Sequence, residues 1–578
     1  MPIVSEKEIS GTLKLQRLNG LSSKITKGAM NILKIDAINA IYDKHSHLEG
    51  LEFVDAILND LDISISIPEK DKKRIPAKGP FILVGNHPLG MIDGLIMIKI
   101  LLSHRPDARI MANFLLSRVL PINPYILPVN PFEDHKGAFS SMIGFRTALR
   151  LLSEGTPIGI FPAGEVSVIR AGKIRDKAWE LSAVKLIKAG GVPVIPVYFH
   201  SKNSNLFYLL AGIHKNLRTA ALPAELFKSK HKTVHIRIGN AISAVEQKKI
   251  EDIRDFRNYL MRKTYMLEYA FASRKNRLKL PRPLQSVLRP SPAFLPSPID
   301  ISHEIATLKS EGKMLFSAGD YEVYCSKLSH LHGTMQELGR LRELTFRAVG
   351  EGTQKSQDLD RYDSYYHHLI LWDSDSQKIG GAYRLGMGDE IGKQYGIRGF
   401  YTSELFHLSD QMGPVLSQSI EMGRAFLSPD YQQKPIPLFL LWKGIVQLAK
   451  SNPNIRFLIG SASISSVYSL YCRSAMVYYL AHNHLDTYLS KFVSPRKKFR
   501  SILKAEDKIW LDDLNLEKLD EMISEIEPQG LKIPVLIKKY LLQNAKCLGF
   551  NVDPAFSDAI DVLMYLSLEN LDFAKINR

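Results

Sequence analysis

The sequence predicts an α/β domain with a largely parallel sheet, followed by an α+β domain. Three observations carry this. Between residues 80 and 240, short apolar runs (FILVG, RIMAN, PIGIF, PVIPVYF, TVHIRIG) alternate with longer helical stretches. That is the rhythm of buried strands joined by crossover helices. Residues 273–298 then hold six prolines, six basic side chains and no acid, a composition that disfavours helix and central strand alike. After 315 the order becomes helix, several strands in succession, helix and strand, as in α+β domains.

Taken in order, residues 1–78 read as a helical segment. GAMNILKIDAINAIYDKH puts Met30, Leu33, Ile38, Ile41 and Tyr42 near one face, with Lys34 and Lys44 elsewhere. Such a face either packs on the domain or lies on a membrane surface. Residues 79–272 form the α/β domain, with helices in GLIMIKILLS, SMIGFRTALRLLSEG and KAWELSAVKLIKAGG and a closing helix over 246–272. Residues 273–314 are an extended linker or wrapping arm, whose basic side chains also suit anionic lipid heads. Residues 315–578 hold the α+β domain. KLSHLHGTMQELGRLRELTFRAVG is helical, and YHHLILWD, KIGGAYRLGMG and SQSIEMGRAF are strands. LFLLWKGIVQLAK is an amphipathic helix and IRFLIGSASIS a further strand, and the residues beyond mix helix with the basic SPRKKFR.

Over its 578 residues the chain carries 76 Lys and Arg against 59 Asp and Glu, a formal charge of +17. This favours anionic partners: nucleic acid, an anionic membrane surface or an acidic carrier protein. No zinc-finger or RNP-type signature supports nucleic acid, and none is expected as a partner. Cys325, Cys472 and Cys547 lie far apart without CxxC spacing, so reduced thiols are expected and no metal site is read. No signal segment is read. LIMIKILL and PLFLLWKGIVQLA fall short of the about 20 apolar residues that span a bilayer. A cytoplasmic protein, peripheral on the inner face of the membrane, is expected.

FILVGNHPLGMIDGL runs a strand into Asn86 and His87 and reaches Asp93 within two tight-turn glycines. A histidine at the C-terminal end of a parallel strand sits where such sheets hold ligands. Oriented by a carboxylate, it takes a proton from an attacking hydroxyl. IGIFPAGEVS ends a second strand on Pro162 and Gly164 and brings an acid, and GGVPVIPVYF is a third strand. This order resembles the glycerolipid acyltransferases over roughly 80–215, with their Asn-His-x4-Asp, Phe-Pro-Glu-Gly-Thr-Arg-Ser and Val-Ile-Pro-Val blocks. The resemblance implies His87 as general base and Asp93 as its orienting acid. It implies Asn86, Phe161, Pro162, Gly164, Glu165 and Ser167 around the acceptor. Five residues, not four, separate His87 from Asp93, and Gly90 and Gly94 are placed to absorb the extra one. Ala163 and Val166 stand at the family's Glu and Arg, and LPVNPFEDHKG lacks the family's phosphate arginine. Arginine forks are how such sites hold phosphate, so the acceptor is expected not to be glycerol phosphate. Glu165, followed by Arg170, Lys173 and Arg175, suits a zwitterionic acceptor such as an aminoacyl lipid. Those bases equally suit a solvent-facing surface.

The second constellation lies in RELTFRAVGEGTQKSQDLDRYDSYYHHLILW, GAYRLG and SIEMGRAF. Residues three apart on a strand face opposite sides, so Glu421 and Arg424 share a site only if a bulge falls near Gly423. This pattern resembles the GNAT-fold N-acyltransferases of the autoinducer-synthase and ornithine-lipid branches over about 320–475. By resemblance, Glu421 is a base or amine-orienting acid and Arg424 and Arg384 bind or brace. Arg342, Phe346, Asp360 and Asp363 complete the site, with Arg347 an alternative to Arg342. GNAT enzymes that use acetyl-CoA carry a glycine-rich turn that cradles pyrophosphate. SPDYQQKPIPLFLLWKG has no such turn, so acyl carrier protein, rather than acyl-CoA, is the expected donor, with no other cofactor. Its acidic surface fits the basic charge.

Together the halves resemble the bifunctional amino-acid lipid synthases of the ornithine-lipid type. This implies N-acylation of an amino acid (ornithine or similar) with a 3-hydroxyacyl chain, then O-acylation of that lyso-aminolipid. Two other readings stay open: a lysophospholipid acyltransferase with a degenerate GNAT domain, and a non-catalytic membrane-binding protein.

Overall fold

The computed structural model describes residues 34–129, 141–170, 172–213, 215–271 and 299–571. Met30, Leu33, the proline-rich run 273–298 and all of LPVNPFEDHKG after Val129 lie outside these residues. The chain divides into two compact units between Phe271 and Ala272, with Pro528–Gly530 grouped with the first.

Among the described residues the first unit has nine strands: β1 Ser64–Ser66, β2 Ile82–Gly85, β3 Arg109–Asn113, β4 Ile126–Val129, β5 Ile158–Ile160, β6 Val168–Arg170, β7 Lys173–Arg175, β8 Val194–His200 and β9 Thr233–Ile238. Seven form one sheet in the order β1-β9-β8-β2-β5-β3-β4. All neighbours are parallel except the β8–β9 pair. β6 and β7 make a separate hairpin. Successive residues of a strand point to opposite faces, and here both faces are covered. Leu83 joins a cluster with the helices Ile35–His45, Gly50–Asp60 and Met91–His104. Ile82 and Val84 join the opposite cluster, with the helices Ser141–Ser153, Leu181–Gly190 and Ile253–Tyr265. The helix that carries Ile38 and Tyr42 is thus part of this core, and with β1 it merges residues 34–78 of the expected 1–78 segment into the α/β unit.

Among the described residues the second unit has an eight-stranded mixed sheet. Its strands are β10 Met314–Ala318, β11 Tyr321–Lys327, β12 His367–Asp373, β13 Lys378–Met387, β15 Ser419–Leu427, β16 Phe457–Ile464, β18 Lys546–Asp553 and β19 Ala559–Ser567, and the short β14 Phe406–Leu408 and β17 Val493–Pro495 pair beside it. The sheet order is β10-β11-β12-β13-β15-β16-β19-β18. Helix Ser302–Ser310, which the linker reading left outside, buries Ile305 and Leu308 with Tyr324 and Ile370 and belongs to this unit.

Two features of this sheet make a site. β15 and β16 pair in parallel only over Ser419–Met422 and Phe457–Gly460. Beyond that the two strands part, and Ser461–Ile464 pair only with β19. Across β13, Ala382 faces Phe426 but Arg384 faces Gly423, so Arg424 and Ala425 together oppose Tyr383. Arg424 has φ +47°. This is the bulge that Glu421 and Arg424 require if they are to face one cavity.

Candidate active sites, one in each unit

In the first unit, β2 delivers His87 to its C-terminal edge. Gly90, at φ +78°, starts the helix Met91–His104. A Cβ there would lie 2.9 Å from Leu222 and 3.1 Å from Val166, so both conformation and space call for glycine. The turn folds Asp93 back on its own entry: Oδ2 accepts from Leu89 N at 2.6 Å and Gly90 N at 3.1 Å. The same oxygen stands 3.2 Å from His87 Nδ1, at ion-pair distance but without hydrogen-bond alignment. Asp93 is fully buried, and desolvation raises its pKa against the pull of His87 and the two N–H donors. The longer His-to-Asp spacing thus still brings the pair together. His87 also stacks on Phe161, with ring centroids 4.2 Å apart.

Not all of the sequence-selected residues face this histidine. Asn86 uses both ends of its amide on Phe199, accepting from its N–H at 2.7 Å and donating to its carbonyl at 3.1 Å. It therefore anchors the His87 loop to β8. Pro162 accepts from Glu180 N at 2.9 Å. Ser167 is buried; its N–H donates to His87 O and its hydroxyl to Asp176 Oδ1 at 2.5 Å. Asp176 was not singled out by sequence. It also accepts from His87 N at 3.3 Å and from Trp179 Nε1 at 3.1 Å, fixing the loop from both sides. Arg175 pairs with Glu268 at 2.5 Å and stacks on Tyr265, while Arg170 and Lys173 are exposed on the β6–β7 hairpin. These three do not form an acceptor site. Instead Glu165 pairs with Arg218 at 2.6 Å.

His87, Phe161, Gly164, Glu165 and Arg218 all line one cavity of about 420 Å³. Most of its wall is apolar, including Ile38, Tyr42, Phe53, Ile98, Met111 and Ile122. The expected helix face at Ile38, Ile41 and Tyr42 supplies one side.

In the second unit, Arg342, Asp363, Arg384, Asp360, Arg424 and Asp358 form a chain of alternating charge. Arg342 Nη1 bonds Asp363 Oδ1 at 2.8 Å, and Arg384 Nη1 reaches Asp363 at 3.2 Å and Asp360 at 2.5 Å. Arg424 reaches Asp360 at 3.1 Å and lies 2.8 Å from Asp358. Burial opposes ionisation of Asp363, but the charges of Arg342 and Arg384 outweigh it and hold that carboxyl far below the usual range. His368, behind Arg342, is pushed down to about 3 by burial and by the Arg342 charge, and is neutral. Asp358 is the member that sequence reasoning missed; its signal is the DLDRYD spacing, three acids within six residues. Arg347 instead pairs with Glu343, behind the loop at Thr353.

Glu421 is buried among donors. Oε1 accepts from Thr402 N at 2.6 Å and from the Thr402 hydroxyl, and Oε2 from Tyr401 N at 3.0 Å and from the Tyr366 hydroxyl. A carboxylate has about four acceptor positions, and all are occupied. Glu421 therefore fixes Tyr366 and the 401–402 backbone, and has no free lone pair for a proton. Glu421, Arg424, Arg384 and Phe346 share a cavity of about 110 Å³ with Ser461, Ser463, Glu351 and Asp561, where β15 and β16 part.

These geometries can be set beside known proteins. A family described as acyltransferase matches residues 14–273, and an acetyltransferase (GNAT) domain matches 341–442. A lyso-glycine lipid O-acyltransferase of Bacteroides thetaiotaomicron is 30% identical over 221 residues, 36% of this chain and 78% of the relative. The chain belongs to the acyltransferase family. A GNAT domain follows its acyltransferase domain. A glycine N(alpha)-acyltransferase of Phocaeicola vulgatus is 27% identical over 289 residues, 47% of this chain and 88% of the relative. A lyso-glycine lipid O-acyltransferase from the same organism is 29% identical over 221 residues, 37% of this chain and 76% of the relative. This acyltransferase therefore resembles enzymes of two kinds at once.

Proposed function

We propose that this acyltransferase makes a diacylated amino-acid lipid in two steps. The GNAT unit joins a 3-hydroxyacyl chain, carried as a thioester on acyl carrier protein, to the amine of a small amino acid. The His87 unit then esterifies that chain's hydroxyl with a second acyl group. One observation carries the reading. A single chain holds a His–Asp pair on an apolar cavity of about 420 Å³ and a polar cavity of about 110 Å³ at the parting of two GNAT strands. The first suits an acyl chain beside a hydroxyl, the second a small amine beside a thioester.

In the O-acylation step, His87 Nδ1 faces Asp93, which leaves Nε2 to take the hydroxyl proton. The oxygen attacks the thioester carbonyl, the C–O bond forms, the C–S bond breaks, and the thiol leaves with the proton. The relatives' glycine substrates favour glycine as the amino acid, with ornithine second. An N-acylglycine presents a carboxylate, and the cavity is lined by Lys177 and Arg218, which pair with Glu180 and Glu165. An ornithine headgroup adds an ammonium, and Glu165, paired with Arg218, is the acid on the same cavity. The carrier-protein donor rests on the loop 428–434, which holds no glycine, and on the basic charge of the chain. Lipid substrates favour an anionic membrane surface as the working place. Among the described residues no helix is long and apolar enough to cross a membrane.

Purified chain supplied with 3-hydroxyacyl carrier protein and either glycine or ornithine tests this directly. The expected products are an N-acyl amino acid and, with a second acyl thioester, its O-acyl ester. Formation of neither product overturns the reading.

A further inference from the structure

The small cavity of the GNAT unit contains one more acid, Asp561. Asp561, on β19, lies opposite Ser463 of β16 and Asn551 of β18. It is 8% exposed, and its Oδ2 is buried without a hydrogen-bond partner. Glu351 stands on the same cavity, its Oε2 accepting from Ser463 Oγ at 2.7 Å. Ser461, two residues earlier on β16, also presents a buried hydroxyl without a partner. The other acids are committed: Glu421 to four donors, and Asp358, Asp360 and Asp363 to arginines.

A buried carboxylate oxygen without a donor is costly. Its natural complement is a cation that brings its own N–H groups. Resting on the N-acylation reading above, we infer that Asp561, with Glu351 beside it, receives the ammonium group of the amino acid and removes its proton before acyl transfer. The ammonium gives one proton to Asp561 and becomes a neutral amine. Its nitrogen attacks the thioester carbonyl; the C–N bond forms and the C–S bond breaks. The adduct's second proton goes to the departing thiolate, and Asp561 returns its proton to water.

The surroundings tune this acid. Burial and then the charge of Asp553 push Asp561 up to about 8; Asn551's hydrogen bond opposes this, Glu351 adds to it, and Arg424 pulls it down. Those groups face it from β18, from β15 and from the segment after helix His332–Ala348, and Tyr401 adds its own electrostatic contact. An acid that exchanges its proton near neutral pH is the effective kind for this step. An arriving ammonium holds it ionised.

The test compares wild type with Asp561→Asn, using full-length chain, an acyl carrier thioester, and either glycine or hydroxylamine as nucleophile across pH 6–9. Hydroxylamine is already neutral at pH 7 and needs no proton removed before attack. With glycine, the variant is expected to lose about 100-fold or more in rate, together with the rise in kcat/KM that the wild type shows towards pH 8. With hydroxylamine it is expected to keep most of its rate. Equal losses with both nucleophiles, or an unchanged pH profile, overturn the assignment. A wild type that makes no N-acylglycine overturns the N-acylation reading and the assignment together, whereas an active wild type beside an equally active variant overturns the assignment alone.

Discussion

At the scale of residues, His87 depends on neighbours that do no chemistry themselves. Asp93 orients its ring, Phe161 lies against its face, and Asp176 and Asn86 hold its backbone loop. Replacing His87 by Ala removes the proton acceptor and its stacking on Phe161, from a ring that is only partly buried. O-acylation should fall by about 10²- to 10⁴-fold with little change in unfolding midpoint, read by product formation and thermal melting. Asp176→Asn is the converse case. It weakens the acceptor for the Ser167 hydroxyl, Trp179 Nε1 and His87 N–H, all of which meet the Asp176 carboxylate. A stability loss of about 1–3 kcal/mol is expected by denaturant unfolding, with a drop in O-acylation because the loop that carries His87 loosens.

At the scale of elements, the turn at Gly90 and the bulge at Arg424 each convert a sequence spacing into a site. Gly90→Ala forces φ +78° on a side chain and presses on Leu222. It should cost about 1–2 kcal/mol or more and reduce O-acylation, both readable on one purified variant. The apolar cavity is walled partly by Ile98 of helix Met91–His104. Ile98→Trp should fill part of it and shift the preferred acyl donor towards shorter chains, measured as relative kcat/KM over a chain-length series. Much at this scale was legible in sequence. RIMAN and TVHIRIG read as strands because their apolar runs are bounded by turn or loop residues, and the structure places β3 and β9 there. β4, ILPV, stayed hidden because it is short and contains a proline, which argues against a central strand; it lies at the end of the sheet order. β19 stayed hidden because its partner β16 lies nearly a hundred residues upstream, and β18 because it pairs only with β19. That pairing decides their fate more than local pattern does. It also hid Asp561, whose role exists only through its place across from Ser463.

At the scale of the whole molecule, buried charge dominates the second unit. The alternating arginines and aspartates were largely legible as residue types, because a strand arginine and an acidic loop stood out. Their pairing was not, since it joins separate segments, from 21 residues apart for Arg342 and Asp363 to 64 for Arg424 and Asp360. His368 within this cluster is held neutral, pushed down to about 3. Below the ordinary histidine pKa of about 6.5 the unfolded chain binds a proton that the folded one refuses. Stability should therefore fall as pH drops from 6.5 towards 4. His368→Gln should flatten that slope in melting curves, even if it lowers the midpoint at pH 7.5.

Lipid mass spectrometry of a host expressing wild type and His87→Ala tests most directly whether one chain performs two acyl transfers in sequence. Wild type is expected to yield a new diacylated amino-acid lipid, and His87→Ala to build up its mono-acylated form. Unchanged amino-acid lipids in wild type, or full diacylation without His87, would contradict the two-step reading.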